Sequence, residues 1–270
     1  ITLSGAGTSA KHIFAGDGDD KIVVKDGAKV TGEVRGDEGD DKITVSDNQT
    51  YVSAINGRGG DDTILVEKGA NVDGIVGRWG NDSITVTGKG TTVKEYIHGD
   101  DGNDTIKVLD GAVVKGDIEG NAGNDIIEID GGANKEGFVG GKIISGDGDD
   151  IVTIRNTNLD KVDDNYYNKN VKVDTGTGND TVNLYNVTVN DTNIWTKEGN
   201  DTINATDTTF KTTQGTGIGT GSGNDVININ SGSNFESGTH ISAGEGNDII
   251  NINSGANLNG GHVYGYAGND

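Results

Sequence analysis

The sequence predicts an all-β fold, a right-handed parallel β-solenoid (β-roll or β-helix) of about 12 coils, on three observations. A Gly-(Asn/Asp)-Asp tripeptide recurs along the whole chain, an aliphatic residue follows each copy at a fixed distance, and short period-two stretches lie between copies with no helical period.

The tripeptide ends at Asp20, Asp41, Asp62, Asp82, Asp104, Asp125, Asp150, Asp180, Asp201, Asp225, Asp248 and Asp270. Successive copies lie 20 to 25 residues apart, with one gap of 30. Two residues after each of the first eleven Asp comes Ile or Val, from Ile22, Ile43 and Ile64 to Val152, Val182 and Ile250. An alternating stretch such as Lys42-Ile43-Thr44-Val45 then reads as a strand. A second turn follows, often Gly-Ala, as at Gly27-Ala28, Gly69-Ala70, Gly111-Ala112 and Gly255-Ala256. A short apolar step comes next, at Val30, Val72, Val114 or Leu258. One further apolar residue precedes the next motif, at Val34, Ile55, Val76, Ile97, Ile118, Ile144, Val173, Trp195, Ile218, Ile241 and Val263. Each repeat is therefore one coil of very short strands. Stacked about 4.8 Å apart, the coils make an array on the order of 55 Å long, with Ile and Val inside and Asn, Thr, Lys and Asp outside.

Composition agrees with a thin core. There are 47 Gly, no Pro, Cys or Met, and few aromatics among 270 residues, too few large side chains for an ordinary globule. The formal charge of −22 opposes contact with nucleic acid and anionic membranes, so neither nucleic-acid binding nor direct membrane insertion is expected. The lack of Cys excludes disulfides and thiolate metal sites. No apolar run is long enough to span a membrane, and Ile1-Thr2-Leu3-Ser4 has no secretory-signal character. Residues 1–270 are read as a single repeat array cut from a longer protein, with an insertion loop at 156–170.

The pattern Gly-x-x-Gly-(Asn/Asp)-Asp-x-(Ile/Val), as in Gly57-Arg58-Gly59-Gly60-Asp61-Asp62-Thr63-Ile64 or Ala243-Gly244-Glu245-Gly246-Asn247-Asp248-Ile249-Ile250, resembles the Gly-Gly-x-Gly-x-Asp-x-U-x calcium repeat of RTX (hemolysin-type) proteins. The resemblance covers nearly the whole chain. It implies that the Asp ending each motif gives its carboxylate to Ca²⁺. It also implies oxygens from loop carbonyls near Gly18, Gly39, Gly60, Gly80, Gly102, Gly123, Gly148, Gly178, Gly199, Gly223, Gly246 and Gly268. The chemistry is compatible: Ca²⁺ takes six to eight hard oxygens, and glycines let a loop aim carbonyls at one point. Tandem nonapeptides of the family carry calcium turns on both edges, whereas the Gly-Ala turn here lacks the Asp. One calcium-binding edge is expected, with about 11 ions between the stacked loops.

Plainer readings stand beside this one. A Gly-Asn-Asp loop is also a good metal-free turn. There is no EF-hand or Walker loop, and the glycines around Gly217-Ile218-Gly219 do not open a helix after a strand. His12, His98, His240 and His262 read as surface residues, and sequons such as Asn103-Asp104-Thr105 arise from the motif itself. The coil at Gly137–Gly141 is slightly long; the insertion carries Asp160, Asp163, Asp164, Tyr166 and Tyr167; Trp79 falls at a variable, exposed loop position.

The resemblance implies a structural segment of a type I-secreted bacterial surface-layer or adhesin protein that folds on external Ca²⁺, with self-association or a cell-surface glycan as partner. Alternatives are a glycan- or ice-binding solenoid, or the repeat region of a polysaccharide-active enzyme. Against ice, the residue before the last Gly of the motif is Thr only at Thr177 and acidic at Asp17, Glu38, Asp101, Asp147, Glu198 and Glu245. No catalytic constellation stands out, so no enzymatic activity is expected.

Overall fold

In the computed structural model, which describes residues 1–161, 171–213 and 215–270, all regular elements are strands. Two long sheets run the length of the molecule. One has 12 strands: Thr2–Ser4, ahead of the first motif, and eleven that each follow a motif, from Lys21–Lys25 to Ile249–Ile252. The other has 15 strands, which lead into the motifs; the longest, such as Lys29–Glu38, span ten residues. Every pairing is parallel and joins a strand to its equivalent one coil on. This is the solenoid that the periodicity predicts.

Like residues stack on like. Ile22 pairs with Ile43, Ile43 with Ile64, Ile64 with Ile84 and Ile84 with Ile106, and the file continues through Val152 and Val182 to Ile250. A second inward file, Val24, Val45, Val66, Val86 and Val108, lies beside it. The opposite sheet answers with Val34, Ile55, Ile75, Ile97 and Ile118. Nearly all are fully buried, because a β-branched side chain alternating with an outward polar one fits a pleated surface with one dry face.

Three sequence assignments on the second sheet are off by one residue. Ile75, Ile143 and Ile194 point inward, and Val76, Ile144 and Trp195 outward. In each case two large apolar residues adjoin, and the register with neighbouring coils decides which enters the core.

The second turn changes character along the array. Early coils bury Ala28, Ala70 and Ala112, alternating with Thr50 and Thr91, whose hydroxyls accept the backbone N–H of Gly27 and Gly69 one coil back. Later coils add a four-stranded sheet, Asn158–Asp160, Thr188–Asn190, Thr209–Lys211 and Asn234–Phe235. Phe210 and Phe235 stack inside it with ring centroids 4.2 Å apart. The expected insertion thus begins with a regular strand in which Leu159 is buried. Asp163, Asp164, Tyr166 and Tyr167 lie outside the described residues.

Stability should follow the inward files. Ile106→Ala, in mid-array, is expected to cost about 2–5 kcal/mol, whereas Thr105→Ala on the outer face should stay within roughly 0.5 kcal/mol. Denaturant unfolding of both variants in one buffer checks this.

Candidate functional site

Each motif is a six-residue turn, typified by Gly57-Arg58-Gly59-Gly60-Asp61-Asp62. Two of its positions have left-handed backbone in every coil. The fourth is always Gly, from Gly18 to Gly268. At Gly60, with φ 114°, a Cβ would collide with the carbonyl oxygen of Gly39 below, so the glycine permits both the dihedral and the close stacking. The second position is Gly in some coils, but is Asp37, Arg58, Arg78, Asp100, Asn121, Lys197 and Tyr266 in others, all at positive φ. Sequence reading missed this regularity because these residues share no chemistry, only a dihedral.

Three hydrogen-bond ladders tie each turn to the next. The fourth-position N–H donates to the third-position carbonyl one coil on, as from Gly39 to Gly59 at 2.8 Å. At the fifth position each side-chain oxygen accepts the N–H of the same position in the following coil. Asp19 accepts from Asp40 (3.0 Å), Asp40 from Asp61 (2.8 Å) and Asn81 from Asn103 (2.9 Å), ending with Asn247 and Asn269. The fifth position tolerates Asn or Asp because only an acceptor oxygen is needed.

At the sixth position the polarity reverses. Oδ1 of Asp41 accepts the N–H of Asp20, Asp62 that of Asp41, Asp82 that of Asp62 and Asp104 that of Asp82, all at 2.7–2.8 Å, and the series continues to Asp248 and Asp270. The predicted ligand residues Asp41, Asp62, Asp82, Asp104, Asp125, Asp150, Asp180, Asp201, Asp225 and Asp248 thereby form one buried file, while Asp20 is half-buried and Asp270 exposed. The second carboxylate oxygen, Oδ2, of Asp41, Asp62, Asp82, Asp104, Asp125 and Asp248 has no hydrogen-bond partner among the described residues, whereas in the later coils the hydroxyls of Ser145, Thr175, Thr196 and Thr220 lie beside the carboxylates of Asp150, Asp180, Asp201 and Asp225 and work against the rise in their pKa. Oδ2 lies inside the turn, against the first-position residue. At Gly36, Gly57, Gly77, Gly99 and Gly120 a Cβ would collide with it. In later coils Ser145, Thr175, Thr196 and Thr220 occupy that place, and their hydroxyls donate to the equivalent carbonyl one coil on, Ser145 to Thr175 at 3.2 Å and Thr196 to Thr220 at 3.2 Å.

Burial raises the carboxyl pKa values from Asp41 through Asp225, against the lowering effect of the backbone N–H, and at Asp62 and Asp104 like charge on the neighbouring Asp adds to the rise. Asp62 and Asp180 are pushed up to about 7, Asp82 and Asp125 to about 6 and Asp104 to about 8. An ionised Oδ2 in this setting requires a cation, and without one the group is driven toward protonation. The spare donors are hard oxygens: one Oδ2 per turn and the fourth-position carbonyls, such as those of Gly39 and Gly60, which accept none of the turn's backbone hydrogen bonds. That chemistry fits a hard cation. No group of three His, Asp or Glu side chains arranged to hold a metal occurs among the described residues, so backbone oxygens would have to supply most ligands.

The four histidines lie apart from this file. His98 stacks on Tyr96 with centroids 4.7 Å apart and faces Glu119 at 3.6 Å. Trp79 is 56% exposed, as its loop position predicts. A feature with no sequence signal is Lys172, fully buried, with Nζ donating to the carbonyls of Val139 (2.6 Å), Gly140 (3.0 Å) and Gly141. Its pKa is pulled down to about 8, mainly by burial. The extra residues of the Gly137–Gly141 coil supply those carbonyls.

Comparison with known proteins finds no matching family model, no similar curated protein and no similar solved structure.

Two outcomes test the turn. Gly60→Ala is expected to lower the unfolding temperature by several degrees more than Gly7→Ala. Gly7 also has positive φ, but open space surrounds its missing Cβ. The pH dependence has a definite sign. A carboxyl whose folded pKa exceeds its unfolded value of 3.8 stabilises the fold fully below that value and loses the contribution as pH rises through about 6 to 8. In chelator, circular dichroism should therefore show β-sheet near pH 4 that melts progressively toward pH 8.

Proposed function

We propose that this chain is a structural calcium-binding solenoid segment of a secreted bacterial cell-surface protein, of the surface-layer or adhesin kind found among RTX proteins, and that it is not itself an enzyme. The observation that carries the reading is the file of buried aspartates, in which Oδ2 of Asp41, Asp62, Asp82, Asp104 and Asp125 lacks any hydrogen-bond partner among the described residues. Neighbouring carboxylates one coil apart would repel by on the order of 3 kcal/mol at an effective dielectric constant of 20. A bound calcium ion supplies positive charge between stacked carboxylates.

The residues have separable duties. The fourth-position glycines, Gly18 through Gly268, bring successive turns close and present their carbonyls. Oδ1 of each Asp holds the turn below by its N–H, leaving Oδ2 for the ion. Twelve turns make eleven interfaces, consistent with about 11 ions, whose charge would offset the formal −22. Folding would then be conditional: a self-repelling chain where calcium is scarce, a rigid rod where it is abundant. Surface location and type I secretion rest on the RTX resemblance of the motif.

A calcium titration by circular dichroism at pH 7.5, against EGTA and with magnesium as control, tests this. The expected result is a steep coil-to-sheet transition near 10⁻⁴–10⁻³ M Ca²⁺, roughly the range of extracellular modules. A sheet indifferent to chelator would remove calcium from the reading. Asp104→Asn keeps the Oδ1 acceptor and removes the charge. It should raise the calcium midpoint and lower the stoichiometry, yet stabilise the chelated protein at neutral pH.

A further inference from the structure

We propose that the outer face of the second sheet, near residues 195–266, carries a binding site for a neutral pyranose sugar, built on the indole of Trp195. The proposal goes beyond the calcium edge: it needs the folded array and borders the motif turns through Lys197 and Tyr266, but it uses none of the motif aspartates.

Along this face three outward columns run over the coils. In one coil all three positions are glycine: Gly217, Gly219 and Gly221. The sheet surface there drops by the height of a side chain. The indole of Trp195, one coil back, covers the gap. A Cβ on Gly219 would lie 3.1 Å from the indole Cδ1 and 3.2 Å from Nε1, so the ring rests on the glycine backbone. Trp195 is half-buried, leaving part of the indole open above it. Beyond the glycines the next coil contributes Ser242 and Gly244, walled by His240 and Tyr266. Lys197, held by Asp174 at 2.7 Å, closes the near side. The resulting cavity is about 300 Å³.

Its chemistry selects the ligand. An aromatic platform with hydroxyl, imidazole and ammonium groups around it suits a ring with an apolar C–H face and equatorial hydroxyls. His240 has its pKa lowered by burial and by His262, so near neutral pH it both donates and accepts a hydrogen bond. Lys197 already has a carboxylate, and the chain's charge of −22 opposes anionic sugars. A neutral ring remains. The three glycines then have a common purpose: any side chain at Gly219 would lift the indole from its bed.

The test uses Trp79→Phe protein in calcium buffer, so that Trp195 is the sole indole, with the β-sheet spectrum verified first; a fold that fails at that step speaks to the calcium reading and not to this one. Cellotriose, maltotriose and tri-N-acetylchitotriose are titrated against Trp195 fluorescence, with triglucuronate as the charged control. The expected result is a saturable shift with at least one neutral trisaccharide and a Kd on the order of 1 mM. Calorimetry should show binding at least about tenfold weaker in Gly219→Val and Tyr266→Ala with the β-sheet spectrum retained. The proposal is overturned if no neutral sugar saturates, if triglucuronate binds as well, or if Trp195 instead reports concentration-dependent dimerisation without sugar.

Discussion

Everything in this molecule is subject to one constraint: each coil must lie about 4.8 Å above the last, in register, for the full length of the chain. At that spacing a side chain's nearest neighbour is its own equivalent. Apolar residues gain from such stacking, which is why Ile22, Ile43 and Ile64 repeat almost without change. Carboxylates suffer from it, so the file of buried aspartates needs a specific remedy.

Part of that remedy is internal. The fifth- and sixth-position ladders run in opposite directions, each side chain accepting one backbone N–H from an adjacent turn. Every turn is thereby held from both sides by a side chain that never leaves its own loop. Charge is the part left over. In the early coils Oδ1 is satisfied and Oδ2 is not, and burial has already moved the carboxyl pKa toward neutrality. Such a group is sensitive to both protons and cations, which gives the fold a means of responding to its surroundings.

Departures from the repeat cluster where the stack must accommodate extra chain or a different load. Lys172 places an ammonium against three carbonyls of the long Gly137–Gly141 coil, and Asp117 and Asp160 lie near enough to favour its charge. In the later coils the stacked pair Phe210 and Phe235 takes the inward place that Val30, Val52 and Val72 hold in the early ones, while Thr208 and Ser233 stand where Ala28 and Ala70 do. The face that carries Trp195 and Tyr266 belongs to the same C-terminal half. The array is thus regular along its aspartate edge and varied on its opposite turn and outer face.

The repeat, the parallel stacking, the inward aliphatic files and the twelve motif aspartates were all legible in the sequence, because a one-dimensional stack turns spatial neighbours into residues a fixed number of positions apart. The hydrogen-bond role of Oδ1 was not legible, since an Asp reads alike whether it caps an N–H, binds a metal or faces water. The left-handed backbone at Arg58, Arg78 and Asp100 was invisible for a related reason: a dihedral leaves no mark on residue type when something other than Gly adopts it. Where two apolar residues adjoin, as at Ile75-Val76, Ile143-Ile144 and Ile194-Trp195, period two permits either to enter the core, and only pairing with the coils above and below decides. Lys172 likewise looked like a surface residue, because its partners are backbone carbonyls some thirty residues away. Local pattern determined the kind of fold; contacts between coils decided what each polar atom does within it.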